Sequence, residues 1–215
     1  MKKFAVILSG CGVYDGSEIH EAVMTMLAIV QQGAAYEIFA PDIEQHHVVN
    51  HLTRQQMPEK RNVLVESARI ARGRIKPLAD FEATSFDAII FPGGYGSAKN
   101  LSTFAFDGPQ ARVNPEVEKA VRAMHSLHKP IGALCIAPAV ITRVLGNIEV
   151  TLGDDPEDAQ AITRMGGRHR IASHGEVITD HHHKVFSTPC YQLSANIADI
   201  YNGATNIVRE MLKVI

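Results

Sequence analysis

Apolar residues fall into two alternating patterns along the chain. Short, nearly continuous runs, Phe4 to Leu8, Tyr36 to Ala40, Phe86 to Phe91 and Pro130 to Leu134, have the length of strands buried on both faces. Between them apolar positions recur at helical spacing. Ile19, Ala22, Val23, Met26, Leu27 and Val30 predict a first helix that Gly33 stops, and Asn114 with Pro115 opens another whose Val117, Val121 and Met124 face the core. Strand, helix and strand in succession predict a parallel sheet with right-handed crossovers. The expected fold is α/β.

The second half adds a strand from Glu149 to Leu152 and a helix that Asp154, Asp155 and Pro156 start and Gly166-Gly167 end. Glu176 to Thr179 and Lys184 to Thr188 read as a hairpin with Asp180-His181-His182-His183 at an exposed tip. Leu193, Ile197, Ile200 and Tyr201, then Ile207, Val208, Met211 and Leu212, form one long amphipathic helix or two joined near Gly203. Only residues 41 to 80 break the alternation, as an irregular polar insertion with a short helix from Val63 to Ala71. With no internal repeat or linker, residues 1–215 are expected to form one domain.

Composition narrows the function classes. Hydrophobic residues make up 46% and charged residues 20% of the 215, as in soluble globular proteins. A net charge of -2 argues against a nucleic-acid partner or an anionic membrane surface. Three cysteines, an odd count without a disulfide framework, suit a reducing compartment, and a cytoplasmic location is expected.

The chemistry centres on Lys129-Pro130-Ile131-Gly132-Ala133-Leu134-Cys135-Ile136-Ala137-Pro138. A strand meets a cysteine and a helix follows at once, so Cys135 is expected on a nucleophile elbow, with small Ala133 and Ala137 on either side. Unpaired N–H groups of the following helix favour thiolate over thiol there. Pro92-Gly93-Gly94 leaves the preceding strand, and its glycines let N–H groups turn toward an oxyanion. In a parallel sheet these loops converge beyond the carboxyl ends of the strands. Glu18, at the start of the first helix, is the expected proton-handling partner of the sulfur, with Glu21 as the fallback. Asp15-x-x-Glu18 also fits a plain capping box.

Other motifs are set aside. Gly10-Cys11-Gly12 lacks the third glycine of a dinucleotide loop, because Asp15 stands there. His47 and His51 share a face only if their segment is helical, and no Glu-x-x pattern accompanies them. His181 to His183 are consecutive and point apart. No metal site is expected from either group.

Glu18 fifteen residues before Gly33, Pro92-Gly93-Gly94, and Gly132 to Pro138 together resemble the PfpI-like, class I glutamine amidotransferase-like superfamily over nearly the whole chain. Ser9 to Glu18, Ala40-Pro41-Asp42 with Asn50-His51-Leu52-Thr53, and Pro92 to Gly96 with Ala98 to Leu101 are similar to its enhancing-lycopene-biosynthesis, glyoxalase III-like subfamily. The resemblance implies a flavodoxin-like three-layer sandwich with a mostly parallel sheet, in a homodimer or higher homo-oligomer. It implies conversion of a small dicarbonyl, glyoxal, to glycolate without glutathione, metal or other cofactor, and a loose link to isoprenoid biosynthesis. The expected site is Cys135 with Glu18, and Gly93, Gly94 and Ile136 hold the oxyanion.

Three departures limit what carries over. Thr188-Pro189-Cys190 stands where amidotransferases have His-Pro-Glu, Ile136 where peptidases have histidine, and Gly153-Asp154-Asp155 where other glyoxalases have one. Glutamine hydrolysis and proteolysis are therefore not implied, and turnover is expected to be slow. The alternative is a non-catalytic oxidant sensor or binding scaffold, with Cys11 or Cys190 resolving a Cys135 disulfide.

Overall fold

In the computed structural model, which describes residues 1–215, strands and helices alternate in the order the apolar pattern predicts. β1 (Lys3–Ile7), α1 (Ile19–Gln31) and β2 (Ala35–Ala40) form the first βαβ unit. The insertion ends in α2 (Val63–Ile70) and a two-residue edge strand, β3 (Lys76–Pro77). β4 (Ala88–Phe91) leads into α3 (Tyr95–Lys99) and α4 (Phe104–Asp107), and α5 (Pro115–Ser126) returns the chain to β5 (Ile131–Leu134). Then come α6 (Ala137–Leu145), β6 (Glu149–Val150), α7 (Pro156–Arg164), β7 (Arg168–His169), β8 (Ile178–Asp180), β9 (Val185–Thr188) and α8 (Ile197–Leu212).

Seven strands form one sheet in the order β3-β2-β1-β4-β5-β9-β8, parallel except where β8 runs against β9, and β6 and β7 pair separately. Side chains alternate across it. Phe4, Val6, Leu8 and Ile90 pack with Ala22, Met26 and Ile29 of α1 and Ile207, Val208 and Met211 of α8. Ala5, Ile7, Ile89 and Phe91 pack on the other face with Val117, Val121 and Met124 of α5 and Val140 and Ile141 of α6. Each large side chain buried in this way contributes about 1.5–3 kcal/mol. The result is a flavodoxin-like three-layer α/β sandwich. No helix is long and apolar enough to cross a membrane.

The structure departs from the apolar pattern in three places, and at α8 it decides between the two forms expected. In α1 the face turned to the sheet is Glu21, Ala22, Thr25, Met26, Ala28 and Ile29, while Ile19, Val23, Leu27 and Val30 are 41–57% exposed. α8 is a single helix, started by an Asn196–Asp199 capping box and continuous through a buried Gly203. The segment with His47 and His51 is not helical; Asn100, Asp15 and Arg61 tie its backbone down instead. At the hairpin tip His181 and His182 are exposed, but Asp180 is buried and binds the Glu149 N–H and the His183 N–H and Nδ1 at 2.9–3.0 Å.

Candidate active site

Cys135 joins β5 to α6 with a positive φ of 57°, a conformation few residues other than glycine adopt. Its own N–H donates to the Thr188 carbonyl of β9 at 3.0 Å, which pins the turn to the neighbouring strand. The N–H groups of Gly94 and Ile136 point at the sulfur. Cys135 is 7% exposed and lies at the base of a cavity of about 320 Å³, with Gly94, Ile136, Tyr191, Gln192 and Asp158 in its walls.

Backbone contacts between distant loops bring these groups together. Glu18 N–H donates to the Gly93 carbonyl, Tyr95 N–H to Val13 and Gly96 N–H to Gly16, so the loop after β1 is stitched to the glycine turn after β4. Asn100 locks the pair by donating from Nδ2 to the Ser9 and Asp15 carbonyls at 2.8 and 2.9 Å. Gly93 must be glycine for lack of room: a Cβ there would lie 2.5 Å from the Cys135 Cβ and 2.7 Å from Glu21 Oε2.

The carboxyl that meets the sulfur is Glu21, not Glu18. Glu18 is the N-cap of α1, its Oε2 accepting the Glu21 N–H at 2.7 Å and its Oε1 lying 3.9 Å from His20 Nδ1. One turn further on, Glu21 is wholly buried, with Oε2 accepting the Gly93 N–H at 2.8 Å and Oε1 the Tyr191 N–H at 3.4 Å, and it shares a hydrogen bond with Cys135. The Gly93 N–H is therefore engaged by a side chain, which leaves Gly94 and Ile136 as the donors at the sulfur. The sequence did carry a signal for this: Glu21, Thr25 and Ala28 stand at i, i+4 and i+7, on the face with Ala22 and Ile29.

Burial sets the electrostatics. It pushes the Glu21 carboxyl up to about 8, with the Glu18 charge adding to the rise and the N–H groups of Gly93 and Tyr191 opposing it. Burial also pushes the Cys135 thiol well up, and the Glu21 charge adds to that, against the N–H groups of Gly94 and Ile136. The depressed thiol expected from the helix terminus is thus overturned, first by burial and then by the Glu21 charge. Glu18 is raised too, by burial.

Two further side chains of the cavity, one of them at the sulfur, escaped the sequence reading. Gln192 Oε1 lies 3.7 Å from Cys135 Sγ, and Gln192 Nε2 donates to Asp158 Oδ2 at 2.9 Å. All three cysteines are free thiols. Cys190 is buried close enough to feel the charges of Glu21 and Cys135, whereas the charges around Cys11 are Glu66, Arg69, Asp15 and Arg61. No group of three or more His, Cys, Asp or Glu side chains is arranged to hold a metal.

No described family profile matches the chain. Among curated proteins, human glutamine amidotransferase-like class 1 domain-containing protein 3, mitochondrial, is 45% identical over 222 residues, covering 99% of this chain and 83% of its own. The rat ES1 protein homolog, mitochondrial, is 44% identical over 223 residues, 99% of this chain and 84% of its own. Among solved structures, an isoprenoid biosynthesis protein with amidotransferase-like domain from Ehrlichia chaffeensis superposes with a TM-score of 0.92 at 38% identity, covering 99% of this chain and 100% of that one. Glyoxalase III from Candida albicans, at a TM-score of 0.64 and 12% identity over 100% of this chain and 97% of that one, shares the fold alone. Drosophila melanogaster DJ-1beta does likewise, at 0.58 and 18% over 98% and 90%. The curated relatives are mitochondrial proteins, which overturns the cytoplasmic location expected from the thiol count; free thiols mark a reducing environment and do not say which one. The chain belongs to the ES1, glutamine amidotransferase-like class 1 family, on the fold of the DJ-1/PfpI superfamily.

Proposed function

We propose that Cys135 is a nucleophile and that the chain converts glyoxal to glycolate in a glyoxalase III-type reaction, without glutathione or another cofactor. The observation that carries this reading is a sulfur at the base of a cavity, with two N–H groups aimed at it and a buried carboxyl sharing its proton. Once the pair has lost a proton, Glu21 is a carboxylate beside the thiol, and passing the thiol proton to it gives the reactive thiolate beside a protonated Glu21. The sulfur adds to one aldehyde carbon, the N–H groups of Gly94 and Ile136 hold the new oxyanion, and Glu21 gives it a proton to complete a hemithioacetal.

Glu21, now a carboxylate, removes the hydrogen from that carbon, leaving an enediolate, and returns the proton to the second carbon. A proton passes from the first oxygen to the second, which yields a glycolyl thioester. Water cleaves the thioester, releasing glycolic acid and restoring the thiol–carboxyl pair with its single proton. The net change is glyoxal plus water to glycolate. No histidine takes part, in keeping with Gly153-Asp154-Asp155 at the place where other glyoxalases have one.

Because the pair must lose one proton first, kcat/KM rises with pH through about 8, where Glu21 titrates. The test is glycolate formation from glyoxal, followed by NMR, with wild type, Cys135→Ala and Glu21→Gln. Cys135→Ala is expected to abolish turnover, and Glu21→Gln to slow it by about 10²-fold to 10⁴-fold. Full activity in both variants overturns the reading. The description of the Ehrlichia chaffeensis relative as an isoprenoid biosynthesis protein supports an association of this chain with that metabolism, with no reaction attached.

A further inference from the structure

The cavity over Cys135 has a single charged side chain in its walls, and that side chain is an acid. Asp158, in the first turn of α7, faces it, and no lysine or arginine does. Its Oδ2 accepts from Gln192 Nε2, while its Oδ1 accepts no hydrogen bond. Tyr95, Phe104 and Tyr191 contribute aromatic surface. Among bases on neighbouring elements, Lys99 Nζ lies 5.3 Å from the centre of the Tyr95 ring but donates to the Tyr14 carbonyl at 2.9 Å, and His20 Nδ1 meets the Tyr191 hydroxyl at 2.8 Å; neither pairs with Asp158. Beside the sulfur stands one more carboxyl, Glu21.

We infer that the site takes carbonyl compounds larger than glyoxal that carry an organic cation, and that Asp158 determines this specificity. The inference rests on the reading of Cys135 as the nucleophile and narrows its substrates to one charge class. A half-open cavity of about 320 Å³ offers far more room than two carbons fill. Aromatic faces beside one carboxylate are the surroundings that hold an ammonium group. The same carboxylate, paired with no cation, repels substrates bearing carboxylate or phosphate. Asp158 also turns the Gln192 amide so that Oε1, an acceptor, faces the sulfur at 3.7 Å.

Charged methanethiosulfonates test the charge selection without any turnover. The thiolate displaces methanesulfinate and forms a mixed disulfide, so the rate at Cys135, followed by peptide mass mapping, reads access to the cavity. The trimethylammonium-ethyl reagent is expected to outpace the sulfonato-ethyl reagent by about tenfold, each rate divided by its rate with free cysteine. Asp158→Asn is expected to erase most of that preference, and Gln192→Leu, which keeps the charge, to retain it. Equal corrected rates in wild type, or an unchanged preference in Asp158→Asn, overturn the inference.

A second arm compares kcat/KM for phenylglyoxals carrying a para trimethylammonium or a para carboxylate group. Preference for the cation that is lost in Asp158→Asn supports the inference, and equal values overturn it. Cation-selective labelling by Asp158 alongside no consumption of glyoxal or either arylglyoxal sustains the charge selection while the glyoxalase reading fails.

Discussion

Cys135 and Glu21 titrate as a coupled pair, because both are buried side by side: the Glu21 charge raises the thiol, while hydrogen bonding to the thiol draws Glu21 back down. Glu21→Gln keeps the side chain's size and removes the charge that opposes the thiolate. The rate of Cys135 alkylation by iodoacetamide against pH is therefore expected to shift to lower pH in this variant, even as glyoxal turnover falls. An unshifted profile would show that Glu21 does not govern the sulfur. Cys135 itself was legible from its setting between a buried apolar run and a helix start. The choice of Glu18 over Glu21 was not, because the most apolar stripe of α1, Ile19, Val23, Leu27 and Val30, faces out of the sheet. Periodicity identifies a helix but does not say which face meets the sheet when small and polar residues occupy the inner one.

At the level of elements, the site is held by loops fastened to one another rather than by any single helix. Asn100 is the clasp: Nδ2 binds the Ser9 and Asp15 carbonyls, and Oδ1 accepts the His46 N–H of the insertion at 2.9 Å. Asn100→Ala leaves the buried Ser9 and Asp15 carbonyls unpaired, and a loss of about 2–4 kcal/mol in urea unfolding is expected. A loss under about 0.5 kcal/mol would mean that the loops hold without it. The strand and helix order was readable because each element carries its own apolar signature. The path of residues 41–62 was not, since polar contacts to Asp15 and Asn100, far away in the sequence, decide it.

For the whole molecule, burying Glu21 couples the site to global stability. Its value rises from 4.5 to about 8 on folding, so between those pH values the folded chain keeps a proton that the unfolded chain has released. Stability from this group is therefore fully present below about pH 4.5, declines as pH rises toward 8 and is level above it, over a range of a few kcal/mol. Thermal melts from pH 5 to pH 8.5 are expected to show the wild-type Tm falling relative to Glu21→Gln, and parallel curves would rule out a raised Glu21. By itself the amino-acid order determined the α/β alternation, the parallel sheet and the strand-to-helix turn that carries Cys135, because apolar period and turn chemistry are local properties. Tertiary structure alone decided which carboxyl reaches the sulfur, how Gln192 and Asp158 come to its side, and how far the thiol is raised. Those outcomes depend on which side chains, far apart in the chain, share a volume without water, and desolvation is a property of that volume rather than of any residue in it.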